Sequence, residues 1–157
     1  MIPWTLEELL PHRAPMLLLD AVESFDPEVK TLTARVVVTP EQAELFGGDA
    51  YVPNWVAIEY MAQASAALAG CYDRHVAPDR AARPGLLLGT RKLDLKLKNF
   101  VVGGVYHVTA VNAFWDADAA AFACVVRDAA GNEVASATLN AYRPQDFKGF
   151  LKEQAKA

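Results

Sequence analysis

The sequence is poor in cysteine and has no excess of positive charge. Among its 157 residues, only Cys71 and Cys124 are cysteines, with no Cys-x-x-Cys pair, which excludes a disulfide-stapled secreted scaffold. Fifteen basic residues against nineteen acidic ones give a formal net charge of −4. The chain therefore lacks the cationic field that nucleic-acid binding needs, and we expect no nucleic-acid partner.

Long hydrophobic runs are also missing. The longest apolar stretch, residues 56–69, contains Glu59 and Gln63 and is shorter than the roughly 20 residues that cross a bilayer. The first eight residues have neither the cationic region nor the apolar run of a secretory signal. We therefore expect a cytoplasmic protein with no membrane span, and two reduced thiols suit that compartment.

Apolar residues make up 53% of the chain, which is enough for the core of one domain spanning residues 1–157. Thr5 and Glu8 are spaced as a capping box, which predicts a short helix that Pro11 ends. Residues 40–51 have no clear period and are expected to be irregular, and the polar tail from about residue 144 is expected to fray. Two strands are predicted over residues 16–22 and 30–39. Four more are predicted to form a meander, over residues 86–98, 105–115, 121–127 and 133–142, with turns at 99–104 and 129–132.

Residues 55–72 predict a helix that is apolar nearly all round, with Asn54 as its N-cap. Such a helix must be buried on most sides. The strand over residues 86–98 alternates, which directs Leu93, Leu95 and Leu97 inward. The economical arrangement is an α+β fold in which an antiparallel sheet wraps around the long helix. One sheet cannot cover that helix completely, which indicates a dimer.

Glu59 is the clearest anomaly, because it is the only acidic residue between Val56 and Gly70. Burying a lone carboxylate is costly and favours its protonated form, which is the form that a general acid needs. The structural alternative is a glutamate bonded to the backbone or to Gln63, four residues on along the same helix face.

The three histidines lie far apart, and no two have a metal-ligand spacing, so we expect no metal. His75 lies in a charged loop and His107 in the middle of a strand, where solvated or structural roles are the usual outcome. His12 lies in the segment Pro-His-Arg-Ala-Pro, whose two prolines stiffen the backbone and hold the ring in place. His12 is therefore a candidate functional residue.

Two segments together resemble a known family, the hot-dog-fold 3-hydroxyacyl-acyl-carrier-protein dehydratases. They are Leu-Leu-Pro-His-Arg-Ala-Pro-Met-Leu-Leu-Leu-Asp over residues 9–20 and Val-Ala-Ile-Glu-Tyr-Met-Ala-Gln-Ala over residues 56–64. The resemblance covers about residues 5–143 and is strongest to the subgroup found with aryl-polyene synthesis. It implies a hot-dog fold, a dimer with active sites at the interface, and a role in fatty-acid or aryl-polyene synthesis.

The resemblance also implies a reaction, the reversible removal of water from a (3R)-hydroxyacyl thioester to give the trans-2-enoyl thioester. Glu59 matches the catalytic carboxylate of the family. The family's usual catalytic histidine is missing, because the matching segment here reads Leu45-Phe46-Gly47-Gly48. His12 is the candidate to replace it as the base at C2, while Glu59 protonates the leaving hydroxyl.

The remaining expectations concern substrate and partner. The substrate is carried on the phosphopantetheine arm of an acyl carrier protein, and no other cofactor is expected. Amide donors at Gly47, Gly48 or Asn54 are candidates to hold the thioester carbonyl, with Gln63 as a further substrate-binding residue. An acidic carrier protein suits the cationic strand, although a solvated strand face is the simpler interpretation; that strand carries Arg91, Lys92, Lys96 and Lys98.

Two other functions remain open. The missing histidine fits a catalytically silent subunit that pairs with a related, active dehydratase in a heterodimer rather than forming a homodimer. An acyl-thioesterase on the same fold would use Glu59 to activate water instead of protonating a hydroxyl. Formation of enoyl product by the purified protein distinguishes the dehydratase from both.

Overall fold

The computed structural model describes residues 2–48, 50–80, 83, 85–144 and 146–156. The chain begins with helix α1, and its predicted capping box is confirmed: the Thr5 side chain accepts from the amide of Glu8, and the Glu8 carboxylate accepts from the amide of Thr5. The helices are α1 (Leu6–Leu9), α2 (Pro40–Leu45), α3 (Ala57–Val76, preceded by a 3-10 turn Asn54–Val56) and α4 (Phe147–Ala155).

All strand pairs are antiparallel. The main sheet has six strands in the order β1-β2-β6-β7-β8-β4, and β3 pairs with β5 in a separate two-stranded sheet. The bounds are β1 (Ala21–Asp26), β2 (Thr31–Val37), β3 (Tyr51–Pro53), β4 (Leu86–Leu95), β5 (Asn99–Val101), β6 (Val105–Asp116), β7 (Ala119–Asp128) and β8 (Glu133–Tyr142).

Helix α3 packs against β1, β2, β6, β7 and β8, which confirms the predicted α+β arrangement of a long helix against an antiparallel sheet. Most of its residues are buried, and the small ones let neighbouring backbone come close. A Cβ at Gly70 would lie 2.6 Å from the carbonyl oxygen of Leu9, so α1 rests directly on the helix at this glycine. This contact anchors the segment that follows α1, which carries His12.

The strand predicted over residues 16–22 is wrong, because β1 begins only at Ala21. Leu18 and Leu19 are buried as an apolar strand would be, but their segment is bound by side chains rather than by a neighbouring strand. The amide of Leu18 donates to Gln63 Oε1, and the carbonyl of Leu18 accepts from Gln42 Nε2. Side-chain amides therefore satisfy the backbone groups that a strand partner would otherwise satisfy.

Two helices and one helix cap also differ from prediction. Residues 40–45 form α2, because Thr39 caps it and Pro40 occupies its first turn. Asn54 does not cap α3; its Nδ2 donates to the carbonyl of Leu97, across the chain. The predicted fraying tail instead forms α4, whose first turn is capped by the Asp146 side chain.

The alternation predicted for β4 breaks at a bulge. The register shifts between Arg91 and Asp94, and Lys92 has a φ of 53°, so Leu93 is exposed instead of pointing inward. The predicted four-strand meander is also wrong, because β4 pairs with β8 and only β6, β7 and β8 follow each other in space. The start of the predicted turn at residues 99–104 is strand β5.

Among the described helices, none is both long and apolar enough to span a membrane.

Candidate active site

His12 lies in a bend between α1 and the segment that leads into β1. The bend is closed by the guanidinium of Arg13, whose Nη1 donates to the carbonyls of Leu10 (2.8 Å) and His12 (2.7 Å). The amide of Met16 then donates back to the carbonyl of Arg13 at 2.9 Å. These bonds, together with the flanking prolines, hold the imidazole in place at the end of α1.

Glu59 lies in the first turn of α3, where the helix dipole favours a carboxylate. The nearly complete burial that the sequence predicts is wrong for this side chain, which is 34% exposed. Gln63 Nε2 donates to Glu59 Oε1 at 2.9 Å, so one carboxylate oxygen is fixed from the next turn of the helix. The carboxyl group is therefore oriented by a neighbour and open to a substrate at the same time.

The structure brings His12 and Glu59 together. His12 Nε2 lies 3.7 Å from Glu59 Oε1, and both side chains are about one-third exposed. This distance is longer than a hydrogen bond, so the two atoms are not hydrogen-bonded to each other. His12 Nδ1 is buried and has no hydrogen-bond partner among the described residues, which leaves Nε2 as the nitrogen that faces the carboxyl group.

Gln63 is fully buried and its amide is used internally, and its role in substrate binding stays a prediction. Its Oε1 accepts from the amide of Leu18, and its Nε2 donates to the carbonyl of Met16 and to Glu59. The side chain therefore ties the segment that follows His12 to the helix that carries Glu59. Its role is to position the two groups relative to each other.

A cavity of about 220 Å³ runs from this pair along α3, under β4, β7 and β8. His12, Pro11 and Glu59 lie at one end. Its walls are mostly apolar and small along the helix, and larger on the sheet side. Wall residues on the helix are Ala62, Ala66 and Ala69, and those on the sheet include Leu86, Phe122 and Leu139. A largely apolar cavity beside His12 and Glu59 fits a hydrocarbon chain.

Gly47, Gly48 and Asn54 do not line this cavity. The amide of Gly47 donates to the carbonyl of Glu44 at 3.1 Å, and that of Gly48 donates to the carbonyl of Ala43 at 2.8 Å. Both amides are therefore already occupied within the loop, which argues against their predicted role as donors to a thioester carbonyl. Gly48 is required by packing, since a Cβ there would lie 2.4 Å from the carbonyl oxygen of Tyr51.

The prediction that all four cations lie on one strand is wrong, because β4 ends at Leu95 and Lys96 and Lys98 follow it. The four side chains of this segment, for which we keep the name cationic strand, are exposed, but their charges are not equivalent. Lys96 Nζ lies 3.8 Å from the carboxylates of both Asp94 and Glu133, which offset its charge locally. No such ion pair is seen for Arg91, Lys92 or Lys98 within the described parts of the chain. A partner would therefore meet a less uniform cationic surface than the sequence predicted.

The structure adds a charged cluster that the sequence analysis missed. Asp73 lies near the end of α3 and is buried with Arg143, whose Nη2 donates to Asp73 Oδ2 at 2.6 Å. Arg83 Nε is 3.7 Å from the same oxygen. Arg83 and Arg143 both line the cavity. The pairing joins residues 70 positions apart, so no local pattern reveals it.

The other two histidines lie outside the cavity. His107 on β6 and Glu23 on β1 are separated by β2, and His107 Nδ1 lies 2.8 Å from Glu23 Oε2. His75 is exposed and its ring forms a T-shaped pair with Phe25. Both therefore match the structural or solvated roles expected of them.

Curated relatives match part of the chain. A 3-hydroxyacyl-(acyl-carrier-protein) dehydratase FabZ of Chlamydia pneumoniae is 37% identical over 92 residues, which is 57% of this chain and 58% of the relative. The FabZ of Vibrio atlanticus is 42% identical over 67 residues, which is 41% of this chain and 44% of the relative. The chain thus spans about half the length of the curated relatives that it matches.

A solved structure matches more of the chain. The dehydratase heterocomplex ApeI:P from Xenorhabdus doucetiae superposes with a TM-score of 0.80 and 26% identity over 90% of this chain and 91% of the matched one. A hypothetical thioesterase from Streptococcus pneumoniae has 11% identity and a TM-score of 0.57 over 78% of this chain and 83% of the matched one, and shares the hot-dog fold alone. The family model of the ApeP dehydratases matches residues 4–152. Together with the hot-dog architecture, this match shows that the chain belongs to the ApeP-like dehydratase family.

Proposed function

We propose that this protein removes water reversibly from (3R)-3-hydroxyacyl thioesters, carried on acyl carrier protein, to give trans-2-enoyl thioesters. The observation that carries the proposal is the pair of His12 Nε2 and Glu59 Oε1, 3.7 Å apart at the end of an apolar cavity. The names of the curated relatives, which are 3-hydroxyacyl-(acyl-carrier-protein) dehydratases, agree with it. The reaction belongs to fatty-acid or aryl-polyene synthesis in the cytoplasm.

The reaction needs a base and an acid, and the two side chains supply both. Neutral His12 removes a proton from C2, and the electron pair moves through the enolate of the thioester to expel the hydroxyl from C3. Protonated Glu59 gives its proton to that hydroxyl, which leaves as water. His12 is then cationic and Glu59 anionic, and transfer of one proton across the short gap between them restores the starting state.

The closeness of the pair fixes which face of the substrate reacts. Two groups 3.7 Å apart approach the C2–C3 bond from one side, so proton and hydroxyl leave from the same face. The hydrogen bond from Gln63 holds the carboxyl of Glu59 during this step. Positioning of this kind supplies a large part of the rate of such reactions. Neither step calls for a metal or a further cofactor.

We also propose that the chain works as part of an oligomer with a related dehydratase. The similar solved structure is described as a dehydratase heterocomplex. In this chain, Tyr51 and Val101 are directly opposite each other on β3 and β5, and both are exposed, as is Trp55. An exposed apolar patch of this kind favours association with another subunit. A second copy of this chain is the alternative partner.

The test is an enoyl-absorbance assay with carrier-bound 3-hydroxyacyl substrate. We expect His12→Ala and Glu59→Gln each to lose about 10²–10⁴-fold in rate. The chain offers a matched control in its other histidine–glutamate pair, His107 and Glu23, which lies away from the cavity. His107→Ala and Glu23→Gln should keep the parent rate.

The outcomes separate the proposal from its alternatives. If His12→Ala and Glu59→Gln stay within a few-fold of the parent, the assignment of the two residues fails. Release of free thiol without enoyl product would identify a thioesterase instead. A silent partner would show a different pattern. The purified chain would have no activity, and a complex with a related subunit would be fully active whether or not this chain carries the substitutions of His12 and Glu59.

A further inference from the structure

The cavity follows one face of α3 from the His12–Glu59 pair as far as Ala69. Glu59, Ala62, Ala66 and Ala69 line it at alternating spacings of three and four residues, and Asp73 is the next position on that face. Fourteen residues at 1.5 Å per residue place Asp73 about 21 Å along the helix axis from Glu59. A chain that begins at the acid–base pair therefore points toward Asp73.

The far end of the cavity is polar. Arg143 lines it and is 7% exposed, and Asp73 behind it is 6% exposed. Arg143 Nη2 donates to Asp73 Oδ2 at 2.6 Å, whereas Arg143 Nη1 is buried and has no partner among the described residues. Arg83 lies against the same carboxylate, so two guanidinium groups face one carboxylate here. Both N–H groups of Arg143 Nη1 are thus left for a further acceptor.

We propose that this polar end recognises an oxygen acceptor, a hydroxyl or a carboxylate, at the distal end of the acyl chain. The inference rests on the proposed function, because the chain in question is the acyl group of that substrate. A chain that ends in a methyl group would leave Arg143 Nη1 without a partner in an apolar surrounding, which is unfavourable. A terminal oxygen accepts its hydrogen bond, and the excess positive charge favours an anionic oxygen over a neutral one.

Selectivity follows from the same contact. Sites that hydrogen-bond a substrate hydroxyl reject analogues without it far more strongly than apolar pockets reject one methylene group. The preference should appear only at the chain length that brings the terminal oxygen to Arg143. Shorter chains do not reach Arg143, and longer ones carry the terminal oxygen past it.

The experiment compares 3-hydroxyacyl thioesters of N-acetylcysteamine that end in a methyl, a hydroxyl or a carboxyl group, over a series of chain lengths. We expect kcat/KM for one of the oxygen-ended substrates to exceed that for the methyl-ended one at least about tenfold at one length. Equal values at every length would overturn the proposal and indicate that an ordered water satisfies Arg143 instead.

Variants of the cluster test the residue. Arg143→Gln together with Asp73→Asn removes the cation without leaving a buried lone carboxylate, and the ratio of kcat/KM for oxygen-ended over methyl-ended substrate should fall toward one. Arg143→Lys is the second variant if the double one is unstable, and it should lower the ratio too. Arg127→Gln, at an exposed position of β7, should leave the ratio unchanged. A ratio that survives in both cluster variants contradicts the proposal.

A binding measurement separates this inference from the proposed function. Calorimetry on the Glu59→Gln variant compares saturated acyl thioesters with and without the terminal oxygen, and does not depend on turnover. A binding preference with no dehydration by the parent protein would support recognition of the terminal oxygen and refute the proposed dehydratase activity. Dehydration without any preference in binding or rate would support the dehydratase and refute recognition of the terminal oxygen.

Discussion

His12 Nε2 lies 3.7 Å from Glu59 Oε1, although the two side chains come from different elements, a bend after α1 and the first turn of α3. Groups that act in one step lose their effect together when either is removed. We therefore predict that the rate of the double variant, His12→Ala with Glu59→Gln, is no more than about tenfold below the rate of the less active single variant. The loss is then smaller than the product of the two single losses. The enoyl-absorbance assay measures this, and multiplicative losses would indicate independent roles.

Gln63 connects the two groups, so its removal should affect the chemistry as well as the fold. Gln63→Leu leaves the amide of Leu18, the carbonyl of Met16 and the Glu59 carboxylate without their partner. We predict a loss of stability of about 1–3 kcal/mol for each buried group left unpaired. We also predict that kcat falls at least tenfold, because the carboxyl group is no longer held.

Gln42 provides the matched control for Gln63. Its side chain also binds the segment at Leu18, through the carbonyl, and accepts from the hydroxyl of Tyr60, but it does not contact Glu59. Gln42→Leu should lower the melting temperature and leave kcat within a few-fold of the parent. If the two variants lose kcat equally, Gln63 acts only through stability.

Much of the fold follows from local pattern. The capping box of Thr5 and Glu8 and the long apolar helix follow from spacing alone, and five of the six main strands overlap their predicted ranges closely. The exception, the strand predicted over residues 16–22, has a long-range cause. The apolar run Met16-Leu17-Leu18-Leu19 has the composition of a strand, but Gln63 and Gln42 bind its backbone from distant positions. Spacing within a segment cannot reveal a partner elsewhere in the chain.

The candidate site shows the same division. The resemblance of two segments was enough to single out His12 and Glu59, and the structure brings them together. The exposure of Glu59 was not predictable, because a helix that is apolar all round gives no indication that a cavity opens beside one residue. Arg143 was missed because its partner, Asp73, is 70 positions away and nothing local marks either residue.

The two thiols provide a prediction about pH. Burial raises the pKa of Cys71 to about 12 and that of Cys124 to about 11. Both thiols therefore stay protonated in the folded protein at pH 8, and alkylating reagents should modify them only after unfolding. Reaction of either one at the rate of a free thiol in the native protein would contradict the burial.

The same thiols set the direction of alkaline stability. The unfolded chain begins to lose these protons near pH 8.5, while the folded chain keeps them until its higher pKa values are reached. The stabilising effect is thus complete below about pH 8.5 and is lost as the pH rises toward 11 and 12. Denaturant midpoints should fall with pH above about 8.5, and less steeply when both cysteines are replaced by alanine.

Ala66 lies midway along the cavity wall, which makes it a position where chain length can be limited. Ala66→Leu should block the cavity beyond this turn of α3 and lower kcat/KM for long acyl substrates at least tenfold more than for short ones. Ala66→Gly is the matched control, since it adds no bulk and costs about 1 kcal/mol of helix stability. Equal losses for long and short substrates in Ala66→Leu would show that the acyl chain does not follow this face.

We propose the cationic strand as the docking surface for an acidic carrier protein, and only some of its charges are offset by neighbouring carboxylates. Asp94 and Glu133 offset Lys96, whereas no ion pair is seen for Arg91 or Lys98 within the described residues. We predict that Arg91→Glu with Lys98→Glu raises KM for carrier-bound substrate more than Lys96→Gln does, and that the effect shrinks as salt is added. The N-acetylcysteamine substrate, which has no carrier, is the control and should show no change in KM. If KM for the carrier-bound substrate also stays unchanged at low salt, the strand is a solvated face and the carrier protein docks elsewhere.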